Sequence, residues 1–234
     1  MKVSLIIPMG ADKEEYQERI PYIFNLAPDG TSFCIKSIQG LDLNRFDKIY
    51  FTILSKLDKK YYLSVMLRLQ FKKMGWKNAK VIILDEPTHN QAETVYQTIV
   101  KEKIEGAVFI KDSDGYFSSD FTISNGIAIY PLDKLDMVNP KNKSYVEVDD
   151  QFYITNIIEK RIISRYFNAG GYLFEDANQF CDYYLRFKGQ EGIYMSHIVY
   201  TMLLDKIPFR PFEVNDFQDW GNQRLYNYFI SNIL

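Results

Sequence analysis

The chain has 234 residues, with 28 Lys and Arg against 30 Asp and Glu, a formal net charge of -2. So even a balance gives no overall field for holding a polyanion, and nucleic acid is not an expected partner. With 47% apolar and 25% charged residues, the composition is that of a folded domain large enough to bury a core without staples. Cys34 and Cys181 lie in apolar runs without a CxxC partner, and read as buried hydrophobes rather than a disulfide or a zinc site. The first apolar run is only a few residues long, too short for a signal core or for a membrane span of about 20 residues. A cytoplasmic protein without a membrane span is expected, and an oligomer is left open.

In chain order, residues 3–8 (VSLIIP) form a continuous apolar run of strand length, and residues 47–54 read as a second strand. Residues 61–74 carry apolar side chains at helical spacing and stop near Gly75, which predicts an amphipathic helix. Residues 80–84 predict a third strand and residues 92–100 a helix, capped by Thr88 or Asn90. Residues 107–110 predict a fourth strand, ending at the acidic turn 112–115. Short buried β runs alternating with helices imply a largely parallel sheet covered on both faces.

Beyond residue 120 the rhythm changes. Residues 126–130, 144–148, 153–159 and 171–174 are strand-like with little helix between them, which predicts a mixed or antiparallel extension of the sheet. Residues 176–186, 192–204 and 225–233 read as helices. The expected fold is α/β, a three-layer α/β/α domain with a mixed, mainly parallel central sheet. It spans residues 1–234 in two lobes, 1–120 and 121–234.

In open α/β sheets, ligands bind beyond the carboxyl ends of the strands. Four segments would meet there. Pro8, Met9, Gly10 and Lys13 follow the first strand, where a glycine brings backbone N–H groups and a lysine toward phosphates. An ordinary turn has the same composition. Asp112 and Asp114, followed by Gly115, suit a hard divalent cation held by carboxylates and substrate phosphates, or else form a solvated turn. Asp219, two residues before Gly221, is a third acidic position. Glu159 and Lys160 close an apolar run, facing an anionic ligand or only water.

Taken in order, these segments resemble the sugar nucleotidyltransferases, the nucleotide-sugar pyrophosphorylases of the GT-A-like, Rossmann-related fold. Residues 4–8 (SLIIP) stand where that family has its opening strand. Residues 87–95 (PTHNQAETV) resemble the segment before its nucleotide-facing helix, often T-x-G-x-A-x-T-V. Residues 109–117 (FIKDSDGYF) resemble its strand and metal-binding aspartate. Residues 156–164 (NIIEKRIIS) resemble its Glu-Lys motif, and residues 168–174 (NAGGYLF) its G-x-Y-x-F strand. Residues 219–222 (DWGN) resemble its D-W-G-T motif, whose aspartate is a second metal ligand.

The resemblance implies Mg²⁺ or Mn²⁺ on Asp112, Asp114 and Asp219. It implies a nucleotide against Pro8, Met9, Gly10, Gln91, Glu93 and Thr94. A phosphorylated small-molecule acceptor would meet Glu159, Lys160, Asn168, Gly170 and Tyr172. The implied chemistry is nucleotidyl transfer from an NTP to a phosphorylated sugar or small phosphorylated alcohol, in the making of surface-polysaccharide precursors.

One departure stands out. The family's G-x-G-x-R loop and its following Pro-Lys are unmatched: residues 9–24 read MGADKEEYQERIPYIF, and Tyr22 follows Pro21. Lys13 and Arg19 are then the candidate catalytic cations, beside Asp114 and Asp219. The altered loop keeps two alternatives in view. One is a GT-A glycosyltransferase that clamps a nucleotide sugar through Asp112-Ser113-Asp114; the other is a catalytically silent domain that binds a nucleotide or sugar phosphate.

Overall fold

A computed structural model of the chain describes residues 3–12, 18–135, 140–221 and 227. Four strands, β1 (Val3–Met9), β2 (Lys48–Leu54), β3 (Ala79–Leu84) and β4 (Ala107–Lys111), pair in parallel, in the order β4-β1-β2-β3. Then follow β5 (Gly115–Ser118), β6 (Gly126–Pro131), β7 (Ser144–Val148), β8 (Ile154–Glu159), β9 (Tyr166–Phe174), β10 (Arg210–Glu213) and β11 (Asn215–Asp219). The long β9 runs antiparallel to β4 and β6 and carries the sheet on to β10, while β7 branches from it with β8 outside. The sheet is mixed, and its first half is parallel.

Side chains alternate along a strand, so one strand can feed two cores. Leu5 and Ile7 are fully buried on one face with Leu63, Leu67 and Phe71 of helix α3 (Leu63–Lys73), whereas Ile6 is buried on the other with Ala92, Val95 and Ile99 of α4 (Gln91–Glu102). The helices, in order, are α1 (Phe33–Lys36), α2 (Ser55–Tyr61), α3 (Leu63–Lys73), α4 (Gln91–Glu102), α5 (Ala177–Leu185) and α6 (Met195–Leu204). Helices α5 and α6 join α4 over the second face. Burial on both faces is why the first strand reads as an unbroken apolar run. The layers are helix, sheet, helix.

Some elements differ from the sequence pattern. The helix expected over 61–74 is α3, and a further helix, α2, precedes it, the two being separated at Tyr62 in the left-handed region (φ 55°). Asp58 enforces the break, because its carboxylate accepts the Ser64 N–H at 2.7 Å while its carbonyl accepts the Tyr62 N–H. The strand expected over 171–174 is the second half of β9, which turns through a left-handed Gly170. Cys34 is buried, but Cys181 is only half-buried on α5. The helix expected over 225–233 lies outside the described residues apart from Asn227. No described helix is long and apolar enough to cross a membrane.

Candidate active site

The carboxyl end of β4 leads straight into the acidic turn. Asp112 donates its N–H to the Gly170 carbonyl at 2.9 Å, and its Oδ1 accepts from Gln91 Nε2 at 2.5 Å. Asp219 arrives from far along the chain, since β11 and β5 form a separate antiparallel ribbon in which Asp219 stands opposite Gly115. Trp220 locks this arrival by donating its N–H to the Asp114 carbonyl at 2.8 Å. A β-carbon at Gly221 would lie 2.9 Å from Asp219 Oδ1 and 3.4 Å from Asp114 Oδ2, so both carboxylates converge on one small region. Burial, then repulsion from Asp112 and Asp219, lifts the Asp114 carboxyl to about 6. Among the described residues, no three His, Cys, Asp or Glu side chains already form a metal cluster.

Two lysines offset this charge in different ways. Lys111 is fully buried, and its ammonium donates to the carbonyls of Asp112 (2.9 Å) and Gly115 (2.8 Å) beside the Phe117 ring. Those carbonyls belong to the turn itself, so Lys111 fixes its shape. Burial lowers the Lys111 ammonium to about 8. Lys143 reaches Asp219 Oδ2 at 2.5 Å from just before β7. Sequence reasoning singled out neither. Lys111 left a usable signal, a charge ending an otherwise apolar strand; Lys143 left none.

Two of the recesses that reach the acidic centre join through it. The smaller, about 240 Å³, is lined by Pro8, Met9, Gly10, Gln91, Thr94 and Asp114 among others. A β-carbon at Gly10 would lie 2.9 Å from Thr94 Oγ1 and 3.0 Å from Thr88 Oγ1, so the chain turns tightly over this hydroxyl pair. Asn90 caps α4 by accepting the Glu93 N–H at 2.9 Å. The larger recess, about 590 Å³, includes Lys143, Glu159, Lys160, Asn168 and Tyr172. Gln91, Asp112 and Asp114 line both, which makes one groove through the acidic centre.

Successive strand residues point to opposite faces, so Glu159 and Lys160 can share a cleft only where the strand stops. It stops there: β8 ends at Glu159 and Lys160 is left-handed (φ 58°). Glu159 accepts from Ser196 Oγ at 2.7 Å, while the Lys160 ammonium bonds the Tyr194 hydroxyl and sits 4.3 Å from that ring's centre. Asn168 Oδ1 accepts the Gly170 N–H at 2.8 Å and so shapes the turn in β9. Burial drives the Tyr172 hydroxyl well above the ordinary range.

Other expected site residues fall elsewhere. Glu93 is turned away from both recesses: its carboxylate holds the His89 N–H at 2.7 Å and lines a separate hollow with Tyr96 and Tyr184. Gln91 and Thr94 are three apart and share a helix face, whereas Glu93 is one and two positions from them and cannot. Gly170 packs behind Asp112 rather than lining the groove. Arg19 is exposed and lines neither recess. Lys13 lies outside the described residues.

No family model matches the chain, and no curated protein matches it significantly. Solved structures do. A nucleoside-diphosphate-sugar pyrophosphorylase from Vibrio cholerae matches with a TM-score of 0.77 at 14% identity, over 99% of this chain and 100% of that one. The inositol-1-phosphate CTP transferase from T. maritima matches at 0.72 with 16% identity, over 100% and 96%. The CTP:phosphocholine cytidylyltransferase from Streptococcus pneumoniae matches at 0.69 with 13% identity, over 100% of both. This chain has the nucleotidyltransferase fold. The likeness runs the full length of the described sheet and includes the antiparallel half that departs from a simple parallel α/β pattern.

Proposed function

We propose that the chain transfers a nucleotidyl group from an NTP to a phosphorylated sugar or small phosphorylated alcohol, releasing pyrophosphate. The continuous groove carries this reading: a tight Gly10–threonine turn at one end, a Glu-Lys pair at the other and crowded carboxylates between. Residues 1–120 would bind the nucleotide and residues 121–234 the acceptor. The activity would serve the cytoplasmic supply of surface-polysaccharide precursors, which are built from activated sugars and alcohols.

The donor set fits a hard cation, because Asp114 and Asp219 offer carboxylate oxygens on one small region and Asp112 adjoins them. Mg²⁺ or Mn²⁺ held by these aspartates would supply charge neutralisation at the α-phosphate. Lys160 would hold the acceptor phosphate as a point charge, and Glu159 a hydroxyl of the acceptor. Gln91 orients Asp112 through its short hydrogen bond. Gly10 and the start of α4 would set the nucleotide in line with the acceptor's attacking phosphate oxygen. Lys13 would balance charge on the departing pyrophosphate.

The test is direct. The purified chain is incubated with each NTP, Mg²⁺ and a panel of sugar phosphates and phosphorylated alcohols, and pyrophosphate is assayed. Release with one matched pair is the expected result. Release of a nucleoside diphosphate from a nucleotide sugar would transfer the assignment to a glycosyltransferase, and binding without turnover to a silent domain. In the active pair, Lys160→Ala is expected to raise KM for the acceptor about tenfold or more, with a smaller effect on KM for the NTP. Equal effects on both would reduce Lys160 to general electrostatics.

A further inference from the structure

We infer that Lys143 is a built-in counter-ion that holds Asp219 in the cation-free site and competes with a divalent metal ion for it. The inference rests on the metal-dependent reading above, and it concerns a residue that this reading does not use. The contact is close and sheltered: Lys143 Nζ lies 2.5 Å from Asp219 Oδ2, with the two side chains 16% and 13% exposed.

Asp219 is built to exchange partners. Its other oxygen, Oδ1, accepts the Gly221 N–H at 2.8 Å, so the carboxylate keeps its orientation when Oδ2 changes partner. That same Oδ1 faces the Asp114 side of the site, so Lys143 on Oδ2 competes with a metal ion for the charge of one carboxylate and not for a single oxygen.

Lys143 is also built to leave. Its backbone is fixed, because its carbonyl accepts the Lys160 N–H at 2.8 Å and the next residue, Ser144, pairs with Glu159. Among the described residues its ammonium makes no backbone bond, unlike that of Lys111, which two carbonyls hold in place. Phe217 and Phe167 lie 5.3 and 5.6 Å from the Lys143 ammonium, ring faces against which a displaced cation can rest. A lysine stem is long and flexible enough to make that short move. Lys111 thus reads as the permanent charge of the site, and Lys143 as the exchangeable one.

The test measures Mn²⁺ binding to the full chain by electron paramagnetic resonance of free Mn²⁺, without nucleotide. Lys143→Met is expected to tighten binding about tenfold, since the ion no longer has to displace a charge-assisted hydrogen bond. Lys143→Arg restores a competing cation and is expected to return affinity toward that of the unmodified chain. In an Asp219→Asn background the effect of Lys143→Met is expected to vanish. Circular dichroism checks folding, and Lys143→Gln replaces the Met variant should that one unfold. Binding no tighter without the lysine, no Mn²⁺ binding in any variant, or tightening that persists without Asp219, overturns the inference. Because no turnover is measured, a negative pyrophosphate assay leaves this comparison readable, and the converse holds too.

Discussion

Asp114→Asn is expected to cut pyrophosphate release by about a thousandfold or more, yet to raise the melting temperature at neutral pH. Activity falls because the substitution removes a carboxylate oxygen from the one region where Asp114 and Asp219 converge. Stability rises for a different reason. Burial and the neighbouring Asp112 and Asp219 move the Asp114 carboxyl from its ordinary 3.8 to about 6. The folded chain therefore holds this proton more tightly than the unfolded one. Between about pH 4 and pH 6 the folded state binds more protons, so stability falls as the pH rises through that window. Above it the penalty is complete, and a neutral amide at position 114 escapes it.

The gain should be visible by calorimetry in EDTA as a few degrees at pH 7.5, at roughly 2–4 °C per kcal/mol for a chain of this size. Near pH 3 it should all but disappear, because both states of the unmodified chain are then largely protonated at this position. A gain that is the same at both pH values would mean that charge crowding is not its cause. Retained turnover would remove Asp114 from the chemistry altogether. The opposed signs are the point: a residue kept for folding would lose stability along with activity.

Most of the sheet was legible because its strands are buried on both faces, which leaves unbroken apolar runs such as VSLIIP. The motif segments were legible because each ends a strand or begins a helix, where local composition changes sharply. The break between α2 and α3 was less so, since apolar spacing continues across Tyr62 and the cause is a single bond from Asp58 to Ser64. β5, β10 and β11 are four or five residues long, too short to impose a period. The site's supporting contacts were not legible at all. Lys143 meets Asp219 from another element, and Gly170 approaches Asp112 across the pairing of β9 with β4. Such contacts exist only once the topology does.

Gly170→Ala is expected to lower both stability and turnover, through the space behind Asp112. Gly170 has φ 83°, and a β-carbon there would lie 2.5 Å from Asp112 Oδ2 and 2.9 Å from Asp112 Cβ. The left-handed backbone alone costs a non-glycine residue roughly 1–2 kcal/mol. Overpacking typically adds about 1–3 kcal/mol, and the melting temperature should fall by roughly 10 °C in all. The carboxylate oxygen could swing away, but the overlap with Asp112 Cβ remains, and the swing breaks the bond to Gln91. Gly189 supplies the control: its φ is 84°, and a β-carbon there meets nothing within 4 Å. Gly189→Ala should therefore show only the smaller backbone cost, with turnover unchanged. If the two variants lose the same stability and neither loses activity, the close approach to Asp112 is not what requires glycine at position 170. If only Gly170→Ala loses turnover, the turn in β9 is a working part of the site, because it sets where the Asp112 carboxylate points.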